Sequence, residues 1–588
     1  MQLTPDYLPI RYTFRFRAGE TDDELGLEGP TPFSAALEIA RCEGLNSIDR
    51  LSYQSSQQSF SGDPACLDLV KAWFEDCVQN HKECEPVSRD WYPTRLLYLD
   101  NDYARLIICD EERPTGPYAT LSHCWGKEPF KVLNKSTLAQ FRNGIPIATF
   151  LASFRDAMRV VLSLGLKYIW IDCCTIFQGD DDFSRLDFEQ EAKLMHLVYA
   201  NGAINIGAAS AGNPYHGCFP SRVPLKTRWS TFPSNPSTGG PTHLVFDSQS
   251  PANALSDLNQ SPLFSRGWVM QERTLSNRMV HFTDSQILWT CNTCGRFEAA
   301  PIASHPKATE KYRETQCLPG SVKLHTAWDD KRAHLLFLWN VIMQQYSALG
   351  LTYPERDKLY AIAGVGIQVA KLLGYTYING IMMEMLPSSL LWSALEDDET
   401  GARPQRTQNR SLPSWSWASM DGPVNFDGCN FPENNINYHK KWKRKPTAEM
   451  SVLLSKIMHG QVGAAETLMM IVGRLVPITG HIEHGSNDED QRCEIRLKES
   501  SGHDPALKVF IPDDLIEWDE ATGDEDTVLY ALLLCDDGAE TTNMIFIVIA
   551  KNPDGMFRRL GIASVRLRLW DAWHEMLRRT KPSLVLIR

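Results

Sequence analysis

The sequence predicts an α/β protein, with a mainly parallel sheet in its first half and helical and β-rich regions towards its C-terminal end. Two patterns carry this. Between Tyr118 and Ser210, short apolar runs alternate with segments whose apolar residues recur at helical spacing, which is the order that helical crossovers between parallel strands produce. Beyond residue 450 the helical pattern gives way to strand-like runs separated by turn residues.

Taken in order, a helix is expected around Leu67–His81 and a strand over Tyr103–Cys109. Ala119–Cys124 reads as a short buried strand, Phe150–Gly165 as an amphipathic helix ended by glycine, and Tyr168–Ile176 as a second buried strand. Phe188, Ala192, Met195 and Tyr199 mark one helix face, and Ala203–Ala208 is a third strand. Pro224–Pro262, rich in Ser, Pro, Thr and Asn, predicts surface loops around a strand at His243–Asp247. Helices at Trp328–Leu349 and Met383–Leu395 and a loop-rich stretch over Glu399–Thr447 follow. The last strands are Met469–Ile478, Ala506–Ile511, Val528–Leu534 and Met544–Ala550, with Asn552-Pro553-Asp554-Gly555 as a hairpin turn. The expected division is a mixed segment over 1–114, the α/β domain over 115–300, a helical and loop-rich region over 301–450, and a β-rich region over 451–588. No fixed-period repeat points to a solenoid or propeller.

Composition narrows the function classes. At 588 residues the chain exceeds a single hydrophobic core, and 43% hydrophobic with 22% charged residues is ordinary for a folded protein. A net charge of −13 opposes generic binding to a phosphate backbone, so no nucleic-acid partner is expected. The basic run His439–Lys445 is read as a solvated loop, with a nuclear-import or polyanion patch as the alternative. No run approaches the roughly 20 apolar residues a spanning helix needs, and the N-terminus lacks a signal-peptide core. A cytoplasmic or nuclear protein with reduced cysteines is therefore expected, and its 15 cysteines show no disulfide framework.

Three segments pair strand-like runs with reactive side chains. Ser122, His123 and Cys124 close the first strand beside Trp125-Gly126. Alternation along the strand puts Ser122 and Cys124 on one face and His123 on the other. His123 is thus read as ordering the turn more than as activating a neighbouring nucleophile. Asp172, after the second strand, either meets a ligand at the sheet edge or caps the following helix. Glu191 borders the apolar stripe of its helix, where a carboxyl has a raised pKa at a crevice or serves in a boundary salt bridge. In the third segment Arg266 is suited to an anionic ligand or to pairing with Asp172 or Glu191, and Gln271 and Glu272 follow it. Cys77, His81 and Cys84 share a helical face, and Cys291 and Cys294 form a pair. Neither group is a complete tetrahedral zinc set by sequence, so no metal is assigned.

Ser122-His123-Cys124-Trp125-Gly126, the Trp170-Ile171-Asp172 strand, Tyr199-Ala200-Asn201, Gly217-Cys218-Phe219, Arg266-Gly267-Trp268 with Gln271-Glu272, and Trp289 with Cys291 together resemble the heterokaryon incompatibility (HET) domain of filamentous fungi. Asp357-Lys358-Leu359 and Pro413-Ser414-Trp415-Ser416-Trp417 look like downstream regions of large HET-domain proteins. Two positions depart from the family pattern. Asp172-Cys173-Cys174-Thr175 displaces its cysteine, and Trp289-Thr290-Cys291 lacks the carboxylate of its Trp-Glu-Cys. The resemblance implies a role in non-self recognition and programmed cell death. Likeness of the HET fold to NAD-cleaving Toll/interleukin-receptor-like domains makes Glu191 the leading catalytic candidate, with Asp172 and His123 as further acid–base groups. Ser122, Cys124, Trp125, Arg266, Gln271 and Glu272 are the expected ligand-binding residues. A metabolite enzyme of secondary metabolism and a non-catalytic protein-interaction module are the alternatives. The cofactor stays unknown, while a small-molecule or nucleotide ligand and a protein partner are both compatible with these residues, and a membrane partner is not expected.

Overall fold

The structure, a computed structural model, describes residues 10–15, 34–41, 47–86, 88, 90–222, 230–233, 242–247, 250–299, 331–386, 388–396, 403–407, 412–426, 445–446, 449–454, 467–483, 492–497, 509–513, 521, 527–536, 544–565, 577 and 579–587. The chain forms two compact units, Met1–Lys323 and Leu324–Arg588.

The first unit is built on a nine-stranded sheet. Its strands are β1 (Arg95–Leu99), β2 (Tyr103–Ile108), β3 (Tyr118–Ser122), β4 (Ile145–Pro146), β5 (Tyr168–Trp170), β6 (Ile204–Gly207), β7 (Arg278–Phe282), β8 (Ile287–Cys291) and β9 (Gly295–Phe297). They lie in the order β9-β8-β7-β6-β3-β5-β1-β2-β4. The strands β7, β6, β3 and β5 run parallel, while every pairing outside them is antiparallel. The expected mainly parallel sheet is therefore corrected to a mixed one. Its flanks are antiparallel because β1–β2 and β7–β8 are joined by short turns, which cannot connect parallel neighbours.

Helices cover both faces, and strand alternation decides which side chains each helix meets. In the register of the parallel core, Thr120 lies opposite Trp170 and Asn205, and Ser122 opposite Gly207. Tyr118, Thr120, Ser122, Trp170 and Asn205 thus share one face. There Tyr118 and Trp170 pack with Met195, Val198 and Tyr199 of helix Asp182–Asn201. The other face presents Ala119, Leu121, Ile169 and Ile206 to Trp73 and Val70 of helix Pro64–Asn80 and to Phe154 and Met158 of helix Ala152–Ser163. All these side chains are buried, and each large one contributes about 1.5–3 kcal/mol by leaving water. The helices that flank this sheet include α1 (Pro64–Asn80), α2 (Ala152–Ser163), α3 (Asp172–Thr175), α4 (Asp182–Asn201) and α5 (Gly267–Leu275).

The strand expected over Tyr168–Ile176 stops at Trp170, and α3 replaces its second half. Local hydrogen bonding explains the break: the Asp172 carboxylate accepts from the Cys173 N–H, and the Thr175 hydroxyl donates to the Ile171 carbonyl. Strand Thr242–Asp247 forms at the expected place, in a separate antiparallel sheet with Ser34–Arg41 and Ser230–Pro233.

The second unit has helices Lys331–Ser347 and Tyr360–Leu373 ahead of a nine-stranded sheet centred on the long strand Thr467–Glu483. The helix expected over Met383–Leu395 is not there; short 3-10 turns at Met383–Met385 and Ser388–Leu390 take its place. Pro387 between them removes a backbone donor and restricts its predecessor. The expected hairpin turn joins Met544–Lys551 to Phe557–Val565, with Gly555 at φ +83°. Trp415 and Trp417 of the downstream motif are fully buried, and the Trp417 indole donates to the Gly380 carbonyl. Residues His439–Arg444 of the basic run lie outside the described residues, and Lys445 begins the short strand Lys445–Pro446. Among the described residues no helix is long and apolar enough to cross a membrane.

Candidate functional site

Because the core strands are parallel, β3, β5 and β6 end at one edge of the sheet, and the polar residues at their ends converge there. Ser122 is the last residue of β3, His123 to Gly126 follow it, and Asp172 opens α3 just past β5. Gly126 sits at φ +69°, and a Cβ there would come within 2.6 Å of the Asn213 side chain. Only glycine lets the chain turn here. From the other side of the edge, α5 brings Glu272, with Arg266 at its N-cap.

The alternation expected along β3 is present. Ser122 and Cys124 turn to the α4/α5 side, Ser122 against Glu272 and Cys124 into a cluster with Leu263, Phe264 and Val269. His123 turns the opposite way and packs edge-on to Phe154 of α2, with ring centroids 5.0 Å apart. Its Nδ1 lies 3.7 Å from the Asp172 carboxylate. Burial lowers the imidazole pKa, Asp172 opposes this and Arg266 adds to it, so His123 is neutral near pH 7. Its Nε2 is buried without a hydrogen-bond partner among the described residues.

Asp172 is spoken for on both oxygens. One accepts from the Trp125 indole at 2.7 Å and the other from the Cys173 N–H at 2.7 Å. The carboxylate thus binds an N–H in the first turn of α3 from within the helix, whose N-cap is Ile171, and also fixes the Trp125 ring, which lies nearly parallel to that of His123. His123, Asp172 and Cys173 place three donor atoms within 4.8 Å of one another, a partial metal set at most. Asp172, Trp125 and Arg266 are only partly buried, so the cluster reaches solvent at these residues.

Glu272 is the chemically distinct member of the group. Asn205 donates to the Ser122 hydroxyl at 2.9 Å, Ser122 donates to the Glu272 carboxyl, and the Tyr199 hydroxyl faces the same carboxyl and favours its charged form. Among the described residues no cation lies within ion-pair distance of it. Burial pushes the Glu272 carboxyl up to about 7, with the hydroxyl of Ser122 and the charge of Arg266 opposing the shift and Asp172 reinforcing it. Arg266 also acts electrostatically on Cys124, whose thiol burial pushes up. Gln271 is buried one residue before Glu272 on α5.

Glu191 stands apart from this group. Its carboxylate is 3.2 Å from Arg95, which also binds Asp187 through 2.7 and 2.8 Å contacts and the Thr175 carbonyl at 2.6 Å. Burial raises the Glu191 pKa, and Thr94 and Arg95 counter it. The partner expected from sequence, Arg266, is replaced by Arg95, which is carried on β1, 96 residues away in the chain. Sequence reasoning also passed over Tyr199 and Asn205. Tyr199 reads in sequence as one more residue of an apolar stripe, but a buried phenol needs a polar partner. Asn205 interrupts an otherwise apolar buried strand, which was the available signal. At the position of the missing family carboxylate, the Thr290 hydroxyl is 2.9 Å from His281 Nε2, and burial pushes that imidazole down to about 3. A neutral histidine bonded to a hydroxyl is the outcome of the Thr290 departure.

Residues 118–272 match the family model for heterokaryon incompatibility protein (HET). The matched stretch runs from β3 to Glu272, so it contains every residue of the cluster and supports a HET-domain protein of the heterokaryon-incompatibility type. No curated protein and no solved structure matches the chain.

Proposed function

We propose that the first unit is an acid–base enzyme whose proton-carrying group is Glu272, and that its substrate is an anionic nucleotide-type ligand cleaved at an N-glycosidic bond, as in NAD. The observation behind this reading is a deeply buried carboxyl bonded by the Ser122 hydroxyl and faced by that of Tyr199, with its pKa near neutrality. A structural carboxylate at such depth is normally paired with a cation, whereas a proton-transfer group works best with its pKa near the operating pH. Arg266, partly exposed at the rim, has the fork geometry that a phosphate accepts. His123 supplies a neutral imidazole with one unsatisfied nitrogen.

In this reading the glycosidic C–N bond breaks and nicotinamide leaves with the electron pair. Water adds to the ribose carbon, and ionised Glu272 takes the proton that water loses. Loss of NAD then provides the cell-death output of an incompatibility-type response. The test is nicotinamide release from NAD by the purified full chain between about pH 5 and 9, with Glu272→Gln in parallel. The rate should rise with pH through about 7, following ionisation of Glu272, and the variant should lose about 10²-fold or more. Intact NAD at every pH, or an unimpaired Glu272→Gln, removes the proposal.

A further inference from the structure

Four cysteines and a histidine that form two incomplete groups along the sequence meet in the first unit. Helix α1 ends at Asn80, and His81 is extended (φ −110°, ψ 93°) before a 3-10 turn over Lys82–Cys84. That break folds His81 and Cys84 back towards Cys77 on the last turn of α1. On the other side, Cys291 ends β8 and Cys294 precedes β9. The sulfur atoms of Cys77, Cys84 and Cys291 and a ring nitrogen of His81 all lie within 4.8 Å of one another. The Cys291 sulfur is 3.5 Å from His81 Nδ1. A tetrahedral zinc ion with Zn–S of about 2.3 Å and Zn–N of about 2.0 Å places its ligand atoms roughly 3.5–3.8 Å apart.

We propose that Cys77, His81, Cys84 and Cys291 form a structural Cys₃His zinc site that ties α1 to the β8–β9 hairpin. Four protein ligands leave no open position, which is the arrangement of structural rather than catalytic zinc. The surroundings fit a cluster of thiolates. Arg278 Nε donates to the Cys77 sulfur at 3.0 Å, the Cys294 N–H donates to the Cys291 sulfur at 3.3 Å, and the Thr293 hydroxyl lies 3.5 Å from Cys84. The two N–H donors, from Arg278 and Cys294, orient thiolates, and the Arg278 cation offsets the single negative charge left by three thiolates on a divalent ion. Cys294, although its sulfur is 3.8 Å from that of Cys291, is outside the mutually close set and is a neighbour, not a ligand. By contrast Cys66 and Cys218 are buried singly and act as small core residues.

The full chain, purified from zinc-supplemented medium without chelator, should carry one zinc per chain by elemental analysis. Cys77→Ser and Cys291→Ser should lose it, and Cys294→Ser should keep it. Should the serine variants fail to fold, the wild-type chain decides the matter by itself. Replacement with cobalt(II) should give the intense visible bands of a tetrahedral thiolate site, and chelation should lower the unfolding temperature. The proposal is overturned by a folded wild-type chain that remains metal-free after zinc supplementation, by zinc retained in both Cys77→Ser and Cys291→Ser, or by a disulfide between any two of the four-ligand cysteines.

Discussion

Two deeply buried glutamates in the first unit show opposite ways of treating an acid inside a protein. Glu298 is fully buried and surrounded by donors that demand a negative charge: Arg222 grips both oxygens, and the Ser55 hydroxyl and the Ile287 N–H complete the set. Asp513 in the second unit is treated the same way by Arg559 and Arg406. Glu272 is given hydroxyls and only a distant cation, so its proton is held until near neutral pH. Burial alone therefore does not make a carboxyl chemically useful. The partner decides whether it is a fixed charge or a movable proton.

The largest expected effect comes from breaking the fixed-charge case. Arg222→Met leaves Glu298 charged and unpaired in the interior, and such a loss typically costs about 3–5 kcal/mol. Denaturant unfolding of the first unit should report it, and a cost under about 1 kcal/mol would mean that Glu298 is not a fixed charge held by Arg222. Glu272→Gln comes next. It should sacrifice turnover by about 10²-fold while leaving the unit folded, because no cation loses its partner. The variant also tests the sign of the pH dependence. A carboxyl whose folded value lies near 7, above its ordinary 4.5, favours the folded state below about pH 4.5, and that contribution disappears as pH rises through about 7. Wild-type stability relative to Glu272→Gln should decline over that window by up to on the order of 3 kcal/mol. Glu191→Gln is third. It should cost about 1–2 kcal/mol and spare activity, because Arg95 keeps its two contacts to Asp187. A larger loss of turnover than of stability would move the chemistry from Glu272 to Glu191.

Much of this contrast was legible in the sequence, and the missing part has a physical reason. Strand alternation correctly separated Ser122 and Cys124 from His123, because a period of two is a local property of the chain. The convergence of Asp172 with the Ser122–His123 segment followed from strand ends meeting at one edge of a parallel core. Glu191 and Glu272 could not be ranked that way. Both are acids on helices against the sheet, and their difference lies in Arg95 and Tyr199, which are remote from one or both in sequence. The mixed character of the sheet comes with strands β1, β7 and β8, which are not among the strands read from the sequence; the short turns at β1–β2 and β7–β8 set antiparallel pairs at the edges of the parallel core. Two half-sets of zinc ligands stayed unconnected because β8 meets the end of α1 only through the folded sheet.

The smallest expected effect sharpens the comparison most, since it alters only the hydroxyl shell of Glu272. Tyr199→Phe keeps the ring against Trp170, whose centroid lies 5.7 Å away, and removes one oxygen. The phenol lowers the Glu272 pKa by favouring its charged form, so its loss should push the carboxyl further up. The alkaline rise of the pH–rate profile should therefore shift to higher pH by a fraction of a unit, and the variant should lose no more than about 1.5 kcal/mol of stability. Ser122→Ala should shift the profile in the same direction, because Ser122 is the larger of the two hydroxyl contributions. A shift to lower pH in either variant would mean that the hydroxyls hold the protonated acid instead. Activity that falls rather than rises through pH 7 would be a separate outcome: it would make Glu272 a general acid and the leaving group of the substrate one that needs a proton.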